Sequence, residues 1–284
     1  MRLSPRLFDS RFLCLLLTDS LSAQMPTTID RKREDDVVDR FSRKVHARML
    51  ELYGESVAGH PNFAASPLGG QDVELADYLL AGIGRYCLVE FKADEDSVPS
   101  EKRKSLRRAL CESMQKNSAM LARAQAIHFV GWGTEEETNA PGYAEQTMYA
   151  LGASLAPYPG MVCPLFGFTP AATVFGLMTD DAFIERFVSS ELLGADAERF
   201  EKYVDELYAI AGHADADGKA GFQGTVYVYI APSETRRANW APFKFTGVEQ
   251  LFRLTKEKGI DRAAIQERKR AAEKENTNDR GMTR

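Results

Sequence analysis

Two apolar runs joined by a short glycine-containing stretch constrain the fold of this chain more than any other feature. Residues 73–80 (VELADYLL) and 86–93 (YCLVEFKA) are rich in aromatic, branched and long apolar side chains, and Ala81-Gly82-Ile83-Gly84-Arg85 carries the glycines that a hairpin connection needs. Two adjacent antiparallel strands are predicted. Side chains alternate faces along a strand, so Glu90 and Lys92 share one face while Cys87, Val89 and Phe91 point to the other. The apolar set can then enter the core while Glu90 and Lys92 line a cleft. Asp77 sits in the preceding run, within pairing reach of the Glu90 region, and an aspartate between apolar neighbours is an unfavourable strand residue.

A carboxylate in such a place persists only when something compensates its desolvation, and a hard divalent cation does so most strongly. Mg²⁺ takes oxygen ligands and is usually held by one or two carboxylates plus a substrate phosphate. Asp77 and Glu90 supply such carboxylates, and the Phe91 backbone carbonyl is a candidate third ligand. Lys92 can position or help deprotonate an attacking water and offset charge on a scissile phosphate. The plainer alternative is a cross-strand ion pair of Asp77 and Lys92 with Glu90 in solvent.

With Ala76-Asp77 as one element and Glu90-Phe91-Lys92 as the other, the segment resembles the restriction-endonuclease-like superfamily, the PD-(D/E)XK nucleases. The proline position of the family pattern holds alanine here. The resemblance implies a core of helix, three-stranded meander, helix and further strand over residues 30–133, Mg²⁺ or Mn²⁺ as cofactor, and Asp77, Glu90 and Lys92 as catalytic residues. The flanking sequence has that order. Residues 35–53 have helical apolar spacing, residues 97–116 read as a second helix with Ser100 as its cap, and 125–131 (QAIHFVG) as a strand. The family's first helix often carries a further acidic residue, for which Glu51 and Glu55 are the candidates. The second helix carries Lys102, Lys104, Arg107 and Arg108, clustered positive charge of the kind a phosphate backbone recruits, and equally a solvated helical face.

The fold class expected is α/β with a mixed sheet and a C-terminal, mostly helical extension. With 284 residues, 44% hydrophobic and 27% charged, the chain can bury a sizeable core. A net charge of −5 argues against broad coating of nucleic acid and for a local basic patch at most. Cys14, Cys87, Cys111 and Cys163 lack CxxC spacing and the four histidines show no metal-ligand pairing with them, so neither a zinc site nor a disulfide framework is indicated. Cys87 and Cys111 read as small core hydrophobes, and His128, in an apolar strand, as a hydrogen-bonded core or rim histidine. Residues 1–24 form an N-terminal extension with a weak signal-like character: a short apolar run bracketed by Asp9 and Asp19. Met25 is an alternative start. No run approaches the roughly 20 apolar residues of a membrane span, and a cytoplasmic location is favoured.

Residues 134–266 read as an α/β extension and 267–284 as a charged disordered tail. Within the extension, 134–142 reads as a loop, the stretch to Leu155 as a helix, 157–160 (PYPG) as a turn, and 162–176 as a strand or buried loop. Thr179 then caps a helix to about Leu193 and Asp196 begins another to about Ala211, together a helical hairpin. AGHADADGKAGFQG reads as a connector, without the glutamate that would complete a calcium loop. A strand follows at 225–231, then a loop whose Arg236, Arg237, Trp240, Phe243 and Lys244 either grip nucleic acid or pack on the core, then a helix over 246–258. Two functions compete: a metal-dependent endonuclease or exonuclease acting on nucleic acid, DNA foremost, or a noncatalytic nucleic-acid-binding or regulatory protein on a degenerate nuclease-like scaffold. No membrane partner is expected, and the oligomeric state is open, a homodimer included.

Overall fold

A computed structural model describes residues 28–57, 63–67, 78–82, 84–138, 148–169, 175–189, 193–212, 222–230 and 239–255. The two apolar runs form adjacent antiparallel strands, β2 (Tyr78–Gly82) and β3 (Arg85–Lys92), paired from Tyr78↔Val89 to Gly82↔Arg85. The connection is tighter than the 81–85 stretch expected. Gly84 lies within it at φ 65°, a left-handed conformation that glycine adopts without a Cβ penalty.

Around this hairpin a mixed six-stranded sheet runs β1-β2-β3-β4-β5-β6, with β1 Phe63–Pro67, β4 His128–Thr138, β5 Met148–Pro157 and the two-residue β6 Met178–Thr179. Among the described strands of this sheet only β3 and β4 are parallel. A parallel pair needs a crossover, and here it consists of a 3-10 helix (Glu95–Arg103) and helices α2 (Ser105–Lys116) and α3 (Ser118–Ile127).

Both faces of the sheet are covered, which is why β2 and β3 are apolar nearly throughout. Leu79, Ala81, Tyr86, Leu88, Val130 and Trp132 face one core, shared with α2, α3 and α6 (Ala197–Ala211). The short α4 (Tyr158–Val162) and α7 (Val248–Thr255) complete that layer, with Phe222 and Phe245 joining it from the β7–β8 ribbon (Gln223–Ile230 and Asn239–Thr246). Tyr78, Leu80, Cys87, Val89, Phe91 and Phe129 face the other core, under α1 (Thr28–Val57) and α5 (Asp180–Ser189). Phe41 of α1 meets Phe91 at 5.3 Å and Phe183 of α5 at 5.8 Å. Lys44 bridges α1 to Asp180 and Asp181 of α5 at 2.8 and 3.0 Å.

Several expectations are corrected. The segment at 97–103 is 3-10 rather than α, with Pro99 inside it, and its cap is Asp94, which accepts from Ser97 N, not Ser100. Gln125-Ala126-Ile127 close α3 instead of opening a strand, because the Asn117 side chain accepts from Ala119 N and Met120 N and starts a new helix there. The stretch ending at Leu155 is strand β5, although its Met, Ala and Leu are good helix formers. Pairing along β4 from Phe129↔Pro157 to Thr138↔Met148 outweighs that propensity, and it also makes residues 134–138 strand rather than loop. PYPG opens α4 instead of turning. Residues 239–246 form β8, so Phe243 and Lys244 lie in a strand and not a loop.

Thr179 and Asp196 do cap their helices, accepting from Ala182 N and Arg199 N. Yet α5 and α6 do not form a hairpin, since their apolar faces enter opposite cores. Cys111 is not merely a small hydrophobe; it is disulfide-bonded to Cys163, with Cα atoms 5.3 Å apart, while Cys87 is a buried free thiol. The connector 213–221, Arg236, Arg237 and the C-terminal tail lie outside the described residues.

Two consequences are measurable. A Cβ on Gly133 would lie 2.6 Å from the Ala93 carbonyl oxygen and 2.8 Å from Val37 Cγ2 of α1. Gly133→Ala is therefore expected to lower stability by about 1–3 kcal/mol in urea denaturation; an unchanged midpoint would refute the seating of α1 against β4. Cys111 and Cys163 are 52 residues apart in sequence, and closing a loop of that size is worth about 3–4 kcal/mol. Cys111→Ser should lose that much, and non-reducing peptide mapping should recover the Cys111–Cys163 crosslink.

Candidate functional site

The face of β3 opposite Phe91 ends in two charged residues that the crossover buries. Glu90 is fully buried and Lys92 nearly so, at 6% exposed. As the alternation predicts, they point the same way: the Lys92 ammonium donates to Glu90 Oε1 at 3.0 Å and to the Phe91 carbonyl at 2.8 Å.

Three further side chains close over them. Lys104, between the 3-10 helix and α2, donates to Glu90 Oε1, and Arg107 Nη2 reaches Glu90 Oε2 at 3.3 Å. Arg107 Nε donates to Glu101 Oε2 at 3.1 Å, and the Tyr158 hydroxyl at the start of α4 donates to the same oxygen at 3.1 Å. Glu101 Oε1 has no aligned hydrogen-bond donor, but the ammonium nitrogens of Lys92 and Lys104 each face it at 3.2 Å. Among the described residues, three cations thus surround two fully buried carboxylates. Lys104, with 24% of its side chain exposed, is the member nearest solvent.

An aromatic layer backs the cluster. The Arg107 guanidinium lies over the Tyr158 ring at 5.6 Å, and His128 stacks on Tyr158 at 4.2 Å while sharing a 2.9 Å hydrogen bond with the Tyr203 hydroxyl. Burial raises the Tyr158 hydroxyl well above the usual tyrosine range, partly opposed by Arg107, so it stays a proton donor to Glu101. Burial lowers the His128 imidazole well below its usual range, and the charges of Arg107 and Lys104 lower it further. His128 is the buried core histidine the sequence suggests, beside the site and held neutral.

The residues expected from sequence are thus only partly gathered. Glu90, Lys92, the Phe91 carbonyl, Lys104 and Arg107 converge. Lys102 is exposed, and Arg108, also exposed, covers the Phe166 ring at 5.3 Å. Glu51 is exposed on α1, across the sheet from Glu90, and pairs with Arg48 at 2.8 Å. The side chain of Glu55 and all of Asp77 lie outside the described residues. Glu101, which no sequence motif singles out, is the residue that sequence reasoning missed. The available signal was its spacing, three before Lys104 and six before Arg107, which lets one carboxylate meet both.

The described residues do not by themselves make a divalent-cation site. Among them no group of three or more His, Cys, Asp and Glu side chains converges. Both oxygens of Glu90 face cations and the Phe91 carbonyl already accepts from Lys92. Comparisons with protein families, with curated proteins and with solved structures found no match.

The neutral His128 makes folding pH-dependent. Its folded-state affinity for protons is depressed relative to the ordinary value of 6.5. The unfolded state therefore binds the extra proton, and stability is complete above about pH 6.5 and falls as the pH drops below it. His128→Gln should flatten part of the decline in urea midpoint between about pH 6.5 and 5; parallel curves for the two proteins would refute the assignment.

Proposed function

We propose that this protein is a nuclease, an endonuclease or exonuclease hydrolysing phosphodiester bonds in nucleic acid, DNA foremost, with Glu90 and Lys92 at its centre. The observation that carries the reading is that Glu90 and Lys92 share one face at the end of β3 and meet Lys104 and Arg107 there. A carboxylate and an ammonium flanked by a further lysine and an arginine suit a phosphate group better than a neutral ligand. The element order supports it too: α1, the antiparallel β1-β2-β3, a helical crossover and β4 parallel to β3 follow the restriction-endonuclease-like core that the Asp77 and Glu90-Phe91-Lys92 elements resemble.

Mg²⁺ or Mn²⁺ belongs to this proposal, with Asp77 and Glu90 as its carboxylates. Asp77 is the residue on which that requirement turns, since the described residues do not complete the set. A cytoplasmic location is also part of the reading. No described helix is long and apolar enough to cross a membrane. The Cys111–Cys163 disulfide pulls against it, because cytosolic thiols are kept reduced.

One observation favours a second reading, a noncatalytic nucleic-acid-binding or regulatory protein. Every oxygen of Glu90 already faces a cation, so the cluster is satisfied as an internal ion-pair network. The two readings part in a single set of measurements. Under the nuclease reading, duplex or single-stranded DNA or RNA is cut in Mg²⁺ or Mn²⁺, EDTA abolishes cutting, and folded Asp77→Asn and Lys92→Ala proteins lose it by roughly 100-fold or more. Binding without cutting under all these conditions, with a melting temperature indifferent to Mg²⁺, establishes the second.

A further inference from the structure

Among the described residues, three oxygens lie against the Lys92 ammonium, and two of them belong to its own strand: Glu90 Oε1 at 3.0 Å and the Phe91 carbonyl at 2.8 Å. Those two move with β3 and cannot alone set where the ammonium points relative to the rest of the molecule. The third, Glu101 Oε1 at 3.2 Å, comes from the 3-10 helix that roofs the strand. Glu101 is fully buried, and a buried carboxylate is placed by its own partners. Its other oxygen is gripped by Arg107 Nε from α2 and by the Tyr158 hydroxyl from α4, each at 3.1 Å. Those two elements are in turn fastened together. Cys111 lies one helical turn beyond Arg107 on α2, and its disulfide partner Cys163 immediately follows α4. The line of contacts from disulfide to helix pair to Glu101 to Lys92 is continuous and buried.

We propose that Glu101 is a positioning residue: its carboxylate fixes the direction of the Lys92 ammonium from outside the strand, and α2 and α4 fix Glu101. The inference rests on the nuclease reading of Lys92 and adds to it a residue that neither the motif nor the basic run singled out. A role limited to charge balance is the alternative, since removing Glu101 leaves three cations facing Glu90 alone.

Kinetics of the full-length protein separate the two roles when charge balance is restored independently. Glu101→Gln raises the net charge of the cluster by one, and Glu101→Gln with Lys104→Met returns it to the native value. Lys104→Met alone is the reference for the double variant. The expected result is that the double variant recovers most of the melting temperature lost in Glu101→Gln. Its kcat should remain roughly 100-fold below that of Lys104→Met, the scale of loss that misplacing a reacting group causes. Its KM should stay within about twofold of the same reference. Glu101→Asp, which keeps the charge but withdraws it by one methylene, should likewise lose kcat while melting near the wild-type temperature. A double variant with the kcat of Lys104→Met, or a fully active Glu101→Asp, overturns the inference and leaves the nuclease reading standing. A wild-type protein that cuts no nucleic acid overturns both.

Discussion

Glu90 is a carboxylate in a central strand of a sheet covered on both sides, and the structure gathers cations that compensate its burial there. Moving a carboxylate from water into a protein interior carries a penalty of several kcal/mol unless opposite charges and hydrogen bonds replace its hydration. Here the replacement comes from Lys92 on the same strand, Lys104 at the junction of the crossover and Arg107 on α2. Three cations gathered in one place need more than one anion, and Glu101 supplies the second. Removing either carboxylate leaves the cations around it uncompensated in a dry environment, which typically costs about 3–5 kcal/mol. The crossover therefore cannot lift off the sheet without exposing a charge imbalance as well as apolar surface.

The disulfide and the aromatic layer act on the same region. Cys111–Cys163 joins α2 to the segment after α4, and the Tyr158 ring contacts both the Arg107 guanidinium and the His128 imidazole. The opposite face of the sheet is different in kind. There α1 and α5 rest on Phe41, Phe91, Phe129 and Phe183, and of their ion pairs Arg48 with Glu185 at 2.7 Å lies towards the surface while Lys44 reaches the buried Asp180. One face carries the charged cluster and the other supplies an apolar anchor. Surface ion pairs of that sort contribute at most about 1 kcal/mol each, so the α1 face depends on packing while the α2 face depends on packing and charge together.

Much of this was legible because it is local. The pairing of Glu90 with Lys92, the separation of Cys87, Val89 and Phe91 to the other face, and the caps at Thr179 and Asp196 follow from periodicity and from side chains that bond their own backbone. The failures came where distant segments decide. Residues 148–157 contain helix formers and became strand because β4 offered ten paired positions. Helices α5 and α6 adjoin in sequence and pack on opposite cores, a choice that depends on which side of the sheet each loop emerges.

The sequence by itself determined the β2–β3 hairpin, the shared face of Glu90 and Lys92, and a basic run directly after them, because a period of two and short turns leave little freedom. Only the tertiary structure decided which basic residues turn inward. Lys104 and Arg107 enter the cluster while Lys102 and Arg108 stay outside, since the 3-10 segment and the angle at which α2 docks set those directions. It also chose Glu101 and Tyr158 as their partners and Cys163 as the partner of Cys111. These contacts join residues up to 57 positions apart, and no spacing rule along the chain reaches that far.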